Sequence, residues 1–373
     1  MSANRPHAEI AGAGFAGLAA ATALCQRGWS ARVHEANPDL RAFGAGIFIW
    51  ENGLRVLKAL GAYEDVMTGS HQAPGYEGRN HHNERISLEV FGPQRGSRMV
   101  TMTRQHLYSA MLLAAERAGV EFVTSSKVVS ARPEGELVTA GGRAWRADLV
   151  VGADGVKSNV RQSLGVMTKR TKYNYGVIRL LVSRGKNDTP RTNPDNVINY
   201  YSPDHRVLYV PCSASELYLA LAARDRDKAS TAIPVRKDIW SGTFLFLAPI
   251  FERIGDEGRY DTYETNKLPS WSVGRVALVG DSAHSMPPTL GQGAGCALMN
   301  ALSLAVSVHA AGDDVLAGLR AWQQQERPLT DHTQSIASRY AETRAGSEGG
   351  SKWDAAAMLA ARHVPTGTED ILL

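Results

Sequence analysis

Near the start of the chain stands Ala8-Glu9-Ile10-Ala11-Gly12-Ala13-Gly14-Phe15-Ala16-Gly17, which continues as Leu18-Ala19-Ala20-Ala21-Thr22-Ala23-Leu24. The pattern predicts a short strand, a glycine turn and an alanine-rich helix that stops at Gly28-Trp29. A second strand follows over 30–34 and ends at Glu35. A strand, glycine turn, helix, second strand and acidic residue in this order are typical of a dinucleotide-binding βαβ unit, around which the rest of the chain is organised.

Each residue of this signature has a physical reason. Gly12 permits the tight turn, Gly14 lets the backbone approach a pyrophosphate, and Gly17 lets the helix pack on the strand. The free N–H groups and the positive dipole end of the helix N-terminus favour phosphate groups. Glu35, about twenty residues further on, can accept hydrogen bonds from both ribose hydroxyls. The unit predicts a dinucleotide site without separating NAD from FAD, and a glycine turn needed only for packing is the alternative.

The whole-chain totals describe an ordinary soluble protein. The 373 residues suffice for two domains or one large composite, with 43% hydrophobic and 21% charged residues. The formal net charge is +4 and the basic residues are scattered, which argues against a nucleic-acid partner. Cys25, Cys212 and Cys296 are far apart, so neither a metal site nor a disulfide framework is predicted. A reduced, cytoplasmic protein is expected, with no membrane span and no signal peptide.

Between residues 99 and 165 the pattern is again that of an α/β unit. Thr103-Arg104-Gln105-His106-Leu107 predicts the start of a helix that runs to Ala118, and a short strand follows. The apolar run Leu149-Val150-Val151 predicts another strand, with Asp154 at its carboxyl end. Open α/β sheets bind ligands at the carboxyl ends of their strands, so Asp154 is a candidate contact.

The stretch 173–264 changes to alternating strands. It predicts one antiparallel sheet, in a layer separate from the nucleotide-binding fold. A hairpin with its tip near Asn83 is predicted within the preceding segment 69–98. Four side chains on the predicted strands could line one wall of a pocket, or could be ordinary sheet residues. They are Arg179, Arg206, Tyr209 and Tyr218.

A second glycine-rich turn comes late in the chain. The run 275–279 predicts a buried strand that ends in Gly280-Asp281, and Pro287-Pro288 with Gly291-Gln292-Gly293 then lead into a helix. Asp281 can accept a hydrogen bond from a ribityl hydroxyl, and the turn and helix start can lie beneath a flavin ring. The remaining chain is predicted to be helical, with Arg327-Pro328 kinking or separating two helices.

Four separated motifs thus stand in a fixed order along the sequence. They are Gly12 to Glu35, Arg104-Gln105-His106-Leu107, Asp154-Gly155…Ser158…Arg161, and Gly280-Asp281-Ser282-Ala283-His284…Pro287…Gly291-Gln292-Gly293. As an ordered set they resemble the single-component FAD-dependent aromatic hydroxylases, the group of 4-hydroxybenzoate and salicylate hydroxylases. Further runs, among them Leu40-Arg41-Ala42-Phe43-Gly44-Ala45-Gly46-Ile47, are similar to the branch that oxygenates hydroxypyridine carboxylates.

The resemblance covers nearly the whole chain and implies an α/β fold. A Rossmann-like FAD-binding domain would be interleaved with a substrate domain built on an antiparallel sheet (α+β) and followed by a helical C-terminus. The expected domains are 1–70, 99–165 and 265–345 for FAD, 71–98 and 166–264 for the substrate, and a C-terminal tail over 346–373.

The resemblance also assigns roles at matching positions. The residues implied to hold FAD are Gly12, Gly14, Ala16, Gly17, Glu35, Arg41, Arg104, Val128, Asp154, Asp281, Gly291, Gly293 and Ala294. Those implied to bind the substrate are Tyr76, Arg179, Arg206, Tyr218 and Tyr263, and those implied in catalysis are Arg206, Tyr218 and Pro287. The Asp154-Gly155 turn would also meet NAD(P)H, which binds transiently, and His284 is expected to be a structural partner.

The implied reaction uses NAD(P)H and O2 to oxygenate a small hydroxylated N-heteroaromatic acid of the 3-hydroxypyridine carboxylate type. It would proceed through a flavin C4a-hydroperoxide, with or without ring opening. Arg206 can face the carboxylate, whose planar geometry a guanidinium fits, and the tyrosines can hold the ring hydroxyl.

Several alternatives stay open at this point. The substrate could be a benzenoid acid such as salicylate or hydroxybenzoate, and the protein could be a flavin-binding protein without turnover. The choice of NADH or NADPH and of a monomer or a homo-oligomer is also open. The hairpin after Tyr76-Glu77 departs from the family's pattern, and because this segment closes the pocket the exact substrate is not fixed.

Overall fold

The computed structural model describes residues 5–41, 44–92, 98–167, 169–185, 188–189, 192–343 and 353–373. Ala42 and Phe43 of the quoted family run, and residues 346–352 of the expected tail, lie outside these ranges.

The helices and strands are numbered in chain order. The helices are α1 Phe15–Cys25, α2 Glu51–Ala59, α3 Tyr63–Met67, α4 Arg104–Arg117, α5 Asn159–Leu164, α6 Lys237–Thr243, α7 Ala248–Phe251, α8 Asp281–His284, α9 Gly293–Ala310 and α10 Val315–Thr343. The strands are β1 His7–Ala11, β2 Ser30–His34, β3 Gly46–Trp50, β4 His71–Ala73, β5 Gly75–Asn80, β6 Arg85–Val90, β7 Met99–Thr103, β8 Glu121–Val123, β9 Val128–Arg132, β10 Glu136–Thr139, β11 Ala144–Arg146, β12 Leu149–Gly152, β13 Lys169–Ser183, β14 Val197–Tyr201, β15 Arg206–Pro211, β16 Glu216–Arg224, β17 Tyr260–Lys267, β18 Ser272–Val273 and β19 Val276–Leu278.

The first sheet contains the dinucleotide-binding signature. Its strands lie in the order β18-β19-β12-β1-β2-β8, and every neighbouring pair except β18–β19 is parallel. Helix α1 follows β1 directly and packs against α4 and α9, so that nearly all of its residues are buried. A helix apolar all round is expected where both sides are covered. The predicted β1–α1–β2 unit is therefore confirmed.

Close packing accounts for two glycines of the first turn. Gly12 has a φ of +97°, and a Cβ atom there would lie 2.7 Å from the carbonyl oxygen of Ala153. A Cβ on Gly17 would lie 2.0 Å from the carbonyl oxygen of Gly12. Around Gly14, with a φ of −74°, a Cβ would meet nothing within 4 Å. Packing alone therefore gives no reason for a glycine at position 14.

The second sheet has the strand order β17-β13-β16-β15-β14-β5-β6. Its neighbours are antiparallel except β5 and β14, which are parallel. The pairs among the strands of 173–264 are all antiparallel, which confirms the prediction, and the parallel pair involves β5 from the segment 69–98. The β5–β6 hairpin comes from an earlier part of the chain, so no tight turn forces it to run antiparallel to β14. The hairpin tip at Asn83, where φ is +64°, agrees with the prediction.

The two faces of this second sheet differ because side chains alternate along each strand. The rear face includes Tyr200 and Tyr209 and packs under α6 and α7, where Trp240 of α6 joins the same apolar cluster. The front face includes Tyr76, Tyr218 and Tyr263. Tyr209 is three positions from Arg206 on β15, so the two side chains point to opposite faces. The prediction that Tyr209 and Arg206 line the same wall of a pocket is therefore wrong.

A small antiparallel sheet, β3-β7-β4, covers the front face of the second sheet. The approach is close, since a Cβ on Gly46 of β3 would lie 2.4 Å from the Cβ of Tyr218 on β16. The Thr101 hydroxyl of β7 donates to the carbonyl of Pro211 at the end of β15. Another small sheet, β11-β10-β9, packs beside the first sheet, where β9 contacts α5.

Helix α9 passes a membrane-span test based on length and composition. Within the ranges that the structure describes, its 18 residues have a mean hydropathy of 1.3, which is high enough to cross a membrane. The expectation of no membrane span overlooked this segment, which qualifies by length and composition alone. However, 67% of the helix is buried inside the protein, against α1, α2 and α10. The core helix of a soluble protein passes the same test, so this is weak evidence for a membrane.

Helix α10 is continuous from Val315 to Thr343 and contains Pro328. The prediction that Arg327-Pro328 separates two helices is therefore wrong. Buried side chains on both sides of the proline, including Trp322 and Thr333, pack against the body and keep the helix intact despite the missing N–H donor.

The chain after α10 returns to the body of the protein. Met358 and Ala361 are buried in the same apolar cluster as the front-face tyrosines. Arg55 of α2 donates to the carbonyl oxygen of Ile371 at 2.6 Å, and the Thr366 hydroxyl donates to the buried carboxylate of Glu326 at 2.9 Å. The described part of the tail is packed structure, which no sequence pattern predicted.

Replacing Gly17 by alanine should destabilise the apoprotein, because the new methyl group would overlap the Gly12 carbonyl. Overpacking of this kind costs about 1–3 kcal/mol, visible as a lower Tm in thermal unfolding. Gly14→Ala is the matched control, since its methyl group meets open space and should leave the apoprotein Tm unchanged. Equal losses of Tm in the two variants would contradict this account of the turn.

Candidate active site

Glu35 lies beside the glycine turn at the carboxyl end of β2. Its carboxylate accepts hydrogen bonds from the backbone N–H groups of Ala13 at 3.1 Å and Asn37 at 2.9 Å. The side-chain amide of Asn37 donates a third hydrogen bond at 2.7 Å. These contacts fix the carboxylate next to Gly14. Each carboxylate oxygen has two lone pairs, so Glu35 can still accept hydrogen bonds from hydroxyl groups of a ligand.

Arg104 begins α4, whose N-terminus is capped by the Thr103 hydroxyl. Its guanidinium carbon lies 4.9 Å from the ring centre of Phe15, the first residue of α1. Burial lowers the pKa of Arg104, and Arg179 adds to this effect while Asp281 opposes it. The Nε atom is buried and has no hydrogen-bond partner within the described ranges. An unpaired buried donor beside the glycine turn suits an acceptor that the protein itself does not supply.

Asp281 follows β19 and Gly280, so that it stands at the same edge of the first sheet as Glu35. Desolvation by the surrounding protein raises the pKa of Asp281, against the opposing attraction of Arg104 and Arg179. The side chain is nevertheless exposed. It is therefore open on one side, where a ligand hydroxyl can replace water.

The two glycine turns contact each other. Gly280 has a φ of +63°, and a Cβ atom there would lie 2.8 Å from the Cβ of Ala16 in α1. Ala16, predicted to touch the cofactor, is therefore also the point at which the early and late turns pack together.

Asp154 caps a helix in this structure. One carboxylate oxygen accepts a hydrogen bond from the Ser158 hydroxyl, and the other accepts from the N–H groups of Asn159 at 2.7 Å and Val160 at 3.1 Å. These donors belong to the N-terminus of α5, where a carboxylate stabilises the unpaired N–H groups. The Asp154 side chain thus has a structural task, which leaves the backbone of the 154–155 turn as the candidate ligand contact.

The segment 286–292 forms the loop before α9, and we call it the proline loop. Pro287 is buried, and Gly291 has a φ of +62° with a Cβ position only 1.8 Å from the Phe48 ring, so only glycine fits there. The indole N–H of Trp50 donates to the carbonyl of Leu290 at 3.3 Å. No side chain caps the following helix, which leaves the N-terminal N–H groups at Gly293 and Ala294 available to a ligand.

Arg206 lies on the front face of the second sheet among four tyrosines. Burial lowers its pKa, but the phenols raise it by more, so that the net shift is upward. The phenols that contribute are those of Tyr263, Tyr175, Tyr201 and Tyr76. Burial also raises the pKa of Tyr175 to about 12. At neutral pH the guanidinium is therefore charged while this phenol is neutral.

Two buried polar atoms of this cluster have no hydrogen-bond partner within the described ranges. They are the Nε of Arg206 and the phenol oxygen of Tyr263. A buried donor and a buried hydroxyl without partners are costly unless a ligand or water satisfies them. The cluster therefore has the chemistry of a binding site for a polar or anionic molecule. We call Arg206, the four tyrosines around it, Tyr218 and Arg179 the tyrosine wall.

Arg179 connects this wall to the rest of the site. It donates to the Asp261 carboxylate at 3.2 Å, and the Tyr218 phenol lies close enough to interact electrostatically with its guanidinium and to raise its pKa. Burial raises the pKa of Tyr218, against the attraction of Arg179 and Arg104. Tyr218 is therefore a neutral hydrogen-bonding group between the wall and the residues near the glycine turns.

The remaining predicted site residues occupy varied positions. Arg41 is exposed after β2. Val128 is buried in β9, where its carbonyl accepts a hydrogen bond from the Asn159 amide at 2.9 Å. The fold alone does not show which predicted residues contact the cofactor, so these assignments stay predictions.

Sequence reasoning missed several residues of the wall. Tyr201 and Asn199 alternate on β14, and the Asn199 amide donates to the hydroxyls of Tyr201 at 2.9 Å and Tyr76 at 2.7 Å. Tyr175 is four positions before Arg179 on β13, so both lie on one face. Strand phase could have found all three residues. Trp353, which packs on Tyr76, had no such signal.

His284 is a buried structural residue, as expected. Its Nε2 lies 3.0 Å from the side-chain nitrogen of Asn300, and its ring packs against Trp271 with centres 5.2 Å apart. Burial lowers the pKa of His284 to about 4. The imidazole is therefore neutral in the folded protein at neutral pH.

Comparison with known proteins identifies the family. Residues 7–314 match a family model described as an FAD binding domain. The chain belongs to this family, and it is an FAD-dependent aromatic monooxygenase. It uses FAD with NAD(P)H. A flavin-binding protein without turnover is not supported, because the similar proteins are monooxygenases.

Three relatives illustrate the similarity. A putative 2-heptyl-3-hydroxy-4(1H)-quinolone synthase of Rhodococcus erythropolis is 41% identical over 90% of this chain and 87% of the relative. A 2-heptyl-3-hydroxy-4(1H)-quinolone synthase of Mycobacteroides abscessus is 38% identical over 89% of each chain. The solved tetrameric form of 2-methyl-3-hydroxypyridine-5-carboxylic acid oxygenase is 44% identical, with a TM-score of 0.92, over 97% of this chain and 98% of that one.

The residues of the two turns fit an FAD molecule. The surroundings of Gly14 are open, Glu35 faces the turn, and the buried Nε of Arg104 has no acceptor in the part of the chain that the structure describes. A pyrophosphate beside a helix N-terminus and a ribose beside a carboxylate would meet these needs.

Glu35→Ala should weaken FAD binding about 10- to 100-fold, since hydrogen bonds to a charged acceptor are worth about 1.5–3 kcal/mol. Titration of the apoprotein with FAD, followed by flavin fluorescence, measures this change. Glu134→Ala, on an exposed loop, is the control. Wild-type FAD affinity in Glu35→Ala would remove Glu35 from the cofactor site.

The stability of the protein should fall as the pH decreases from about 6.5 to about 4, because His284 is buried in its neutral form. Its folded pKa of about 4 lies below the ordinary 6.5, so in this window only the unfolded chain takes up the proton. Urea unfolding at several pH values should show a flatter dependence in His284→Gln. An unchanged slope would show that another group causes the loss.

Proposed function

We propose that the substrate is a hydroxylated N-heteroaromatic acid of the 3-hydroxypyridine carboxylate type. The observation that carries the proposal is Arg206, a charged and partly buried guanidinium that lies among four tyrosines and whose Nε has no hydrogen-bond partner within the described ranges. None of the four side chains is a carboxylate that would pair with this charge, so an anionic partner is favoured there. A carboxylate matches a guanidinium in both charge and planar geometry.

The tyrosines of the wall have a second proposed role, which is to bind a ring hydroxyl of the substrate. The buried hydroxyl of Tyr263 has no hydrogen-bond partner among the described residues, and Tyr218 interacts electrostatically with Arg179. A ring hydroxyl of the substrate would hydrogen-bond one of these phenols, which would orient the ring carbon that is attacked. We assign Tyr76 to the rim of the wall, where its hydroxyl is already bonded to Asn199.

The cofactor site would be shared by the two turns. We assign the pyrophosphate to the helix start at Gly14, the ribose to Glu35, and the ribityl chain to Asp281 and Arg104. When bound, FAD supplies the hydride acceptance and oxygen activation that the protein's side chains cannot provide. The buried Pro287 and the proline loop would exclude water from this region, which oxygen transfer requires.

A second candidate substrate class follows from the comparisons. The quinolone synthases cover about nine-tenths of this chain at 41% and 38% identity, and their named product is an alkylated ring without a carboxylate. A benzenoid acid such as salicylate or hydroxybenzoate is a further alternative. We favour the N-heteroaromatic acid because of the unpaired Arg206.

We extend the proposal to the setting of the enzyme. A homo-oligomer is favoured by the tetrameric form of the 44% identical oxygenase. A cytoplasmic location is favoured because the three cysteines are free and buried. Whether the reaction ends at hydroxylation or continues to ring opening is decided by the mass of the product.

The test of the substrate class is to incubate the FAD-loaded enzyme with NAD(P)H and O2 and to measure product masses. The three candidates are a 3-hydroxypyridine carboxylate, a hydroxybenzoate and 2-heptyl-4-quinolone. We expect addition of oxygen to the pyridine acid. Turnover of the quinolone alone would overturn the proposal of an acid.

Arg206→Ala should raise the KM for the acid about 10- to 100-fold, because a charge-assisted hydrogen bond worth about 1.5–3 kcal/mol is lost. It should also uncouple NAD(P)H oxidation from hydroxylation. Arg206→Lys keeps the charge but not the planar fork, so it should rescue only part of the affinity. Arg226→Ala, on an exposed loop, is the control. Unchanged KM and coupling in Arg206→Ala would remove Arg206 from the pocket.

A further inference from the structure

Trp353, the first described residue of the tail, lies between the tyrosine wall and the proline loop. Its ring centre is 4.5 Å from that of Tyr76, with the ring planes inclined by 40°. On another side it meets Trp50 edge-on, with centres 5.3 Å apart. Its indole N–H donates a hydrogen bond of 3.1 Å to the carbonyl of Thr289 in the proline loop.

We propose that Trp353 is a positioning residue for the oxygenation, because it fixes Tyr76 and the proline loop relative to each other. This inference rests on the proposed function, in which Tyr76 belongs to the substrate wall and the loop lies beneath the flavin. No part of the sequence pattern pointed to it, since the surrounding tail is rich in glycine and alanine.

Tyr76 is held at two points. Its hydroxyl accepts a hydrogen bond of 2.7 Å from the Asn199 amide, which fixes the tip of the ring. A hydrogen bond at the hydroxyl does not by itself prevent rotation of the ring about its long axis. The Trp353 ring covers one face of Tyr76 and limits that rotation. A smaller side chain at position 353 would leave the tip in place but free the ring face.

The proline loop is held by two indoles from distant parts of the chain. Trp50, at the end of β3, donates to the carbonyl of Leu290, and Trp353 donates to the carbonyl of the preceding residue, Thr289. The Thr289 hydroxyl also donates to the Ala337 carbonyl of α10 at 2.8 Å. The loop is thus tied to β3, to α10 and to the tail, and the tail tie passes through a residue, Trp353, that also contacts Tyr76.

Because Trp353 contacts both Tyr76 and the proline loop, it would affect the efficiency of oxygen transfer. Oxygen transfer depends on the distance and angle between the flavin and the attacked ring carbon, and small displacements reduce it strongly. If the wall and the loop move independently, NAD(P)H is still consumed but less product is formed. A residue that only filled space in the core would instead lower stability without changing this ratio.

The experiment compares Trp353→Phe and Trp353→Leu with the wild type. Phenylalanine keeps an aromatic face on Tyr76 but loses the N–H donor to Thr289, whereas leucine loses both. The matched controls are Trp145→Phe and Trp145→Leu, because Trp145 is also half-buried but lies on β11, stacked under Arg143. For every variant, the FAD affinity of the apoprotein, the visible flavin spectrum, the Tm, the KM and the product formed per NAD(P)H are measured.

We expect Trp353→Phe to form at least about twofold less product per NAD(P)H, with a shifted flavin spectrum and a KM near that of the wild type. Trp353→Leu should show the same uncoupling and also raise the KM about fivefold or more, because Tyr76 is no longer supported. Both Trp145 variants should keep the wild-type coupling and spectrum.

Wild-type coupling and an unshifted flavin spectrum in Trp353→Phe would overturn the inference. If Trp353→Leu fails to fold, the result for Trp353→Phe alone decides the role of Trp353. A wild-type enzyme that oxygenates no candidate acid would contradict the proposed function instead. The flavin spectrum and FAD affinity, which need no substrate, would still decide the role of Trp353.

Discussion

The close contact of two glycine turns is the constraint on which the site depends. One turn follows β1 and the other follows β19, more than 250 residues later, and they meet where Gly280 approaches Ala16. A side chain at position 280 would push the turns apart, since its Cβ would lie 2.8 Å from the Cβ of Ala16. Because of this contact, Glu35 and Asp281 face the same region from opposite ends of the chain. The fold thereby brings two distant motifs together at the proposed cofactor site.

The tyrosine wall is coupled to that surface by charge. Arg104 lies beside the glycine turns and Arg206 lies within the wall, with Arg179 and Tyr218 between them. Asp281 is the acidic group that interacts with both Arg104 and Arg179. The protein thus concentrates positive charge where an anionic cofactor and an acidic ring would meet. Interactions of this kind are strong because the groups are withdrawn from water.

The parts of the fold that depend on local sequence were predictable, and those that depend on the path of the chain were not. The β1–α1–β2 unit and the cap of α4 follow from neighbouring residues, so they agree with expectation. The position predicted for Tyr209 was wrong because side chains alternate along a strand. Tyr209 is three residues after Arg206, an odd spacing visible in the sequence, so the two lie on opposite faces. The continuity of α10 through Pro328 depends on packing from both sides. Trp353 reaches Tyr76 only because the tail returns across the molecule, which no local pattern encodes.

The strands of the two large sheets alternate along the chain. β1 and β2 belong to the first sheet, β5 and β6 to the second, β8 and β12 to the first, β13 to β17 to the second, and β18 and β19 to the first. Neither half can therefore be excised or exchanged by cutting the chain at one point. Synthesis must proceed to Leu278 before the parallel sheet has all its strands. New specificities in such an architecture must arise by substitutions on an intact frame, because recombination of whole modules would break both sheets at once.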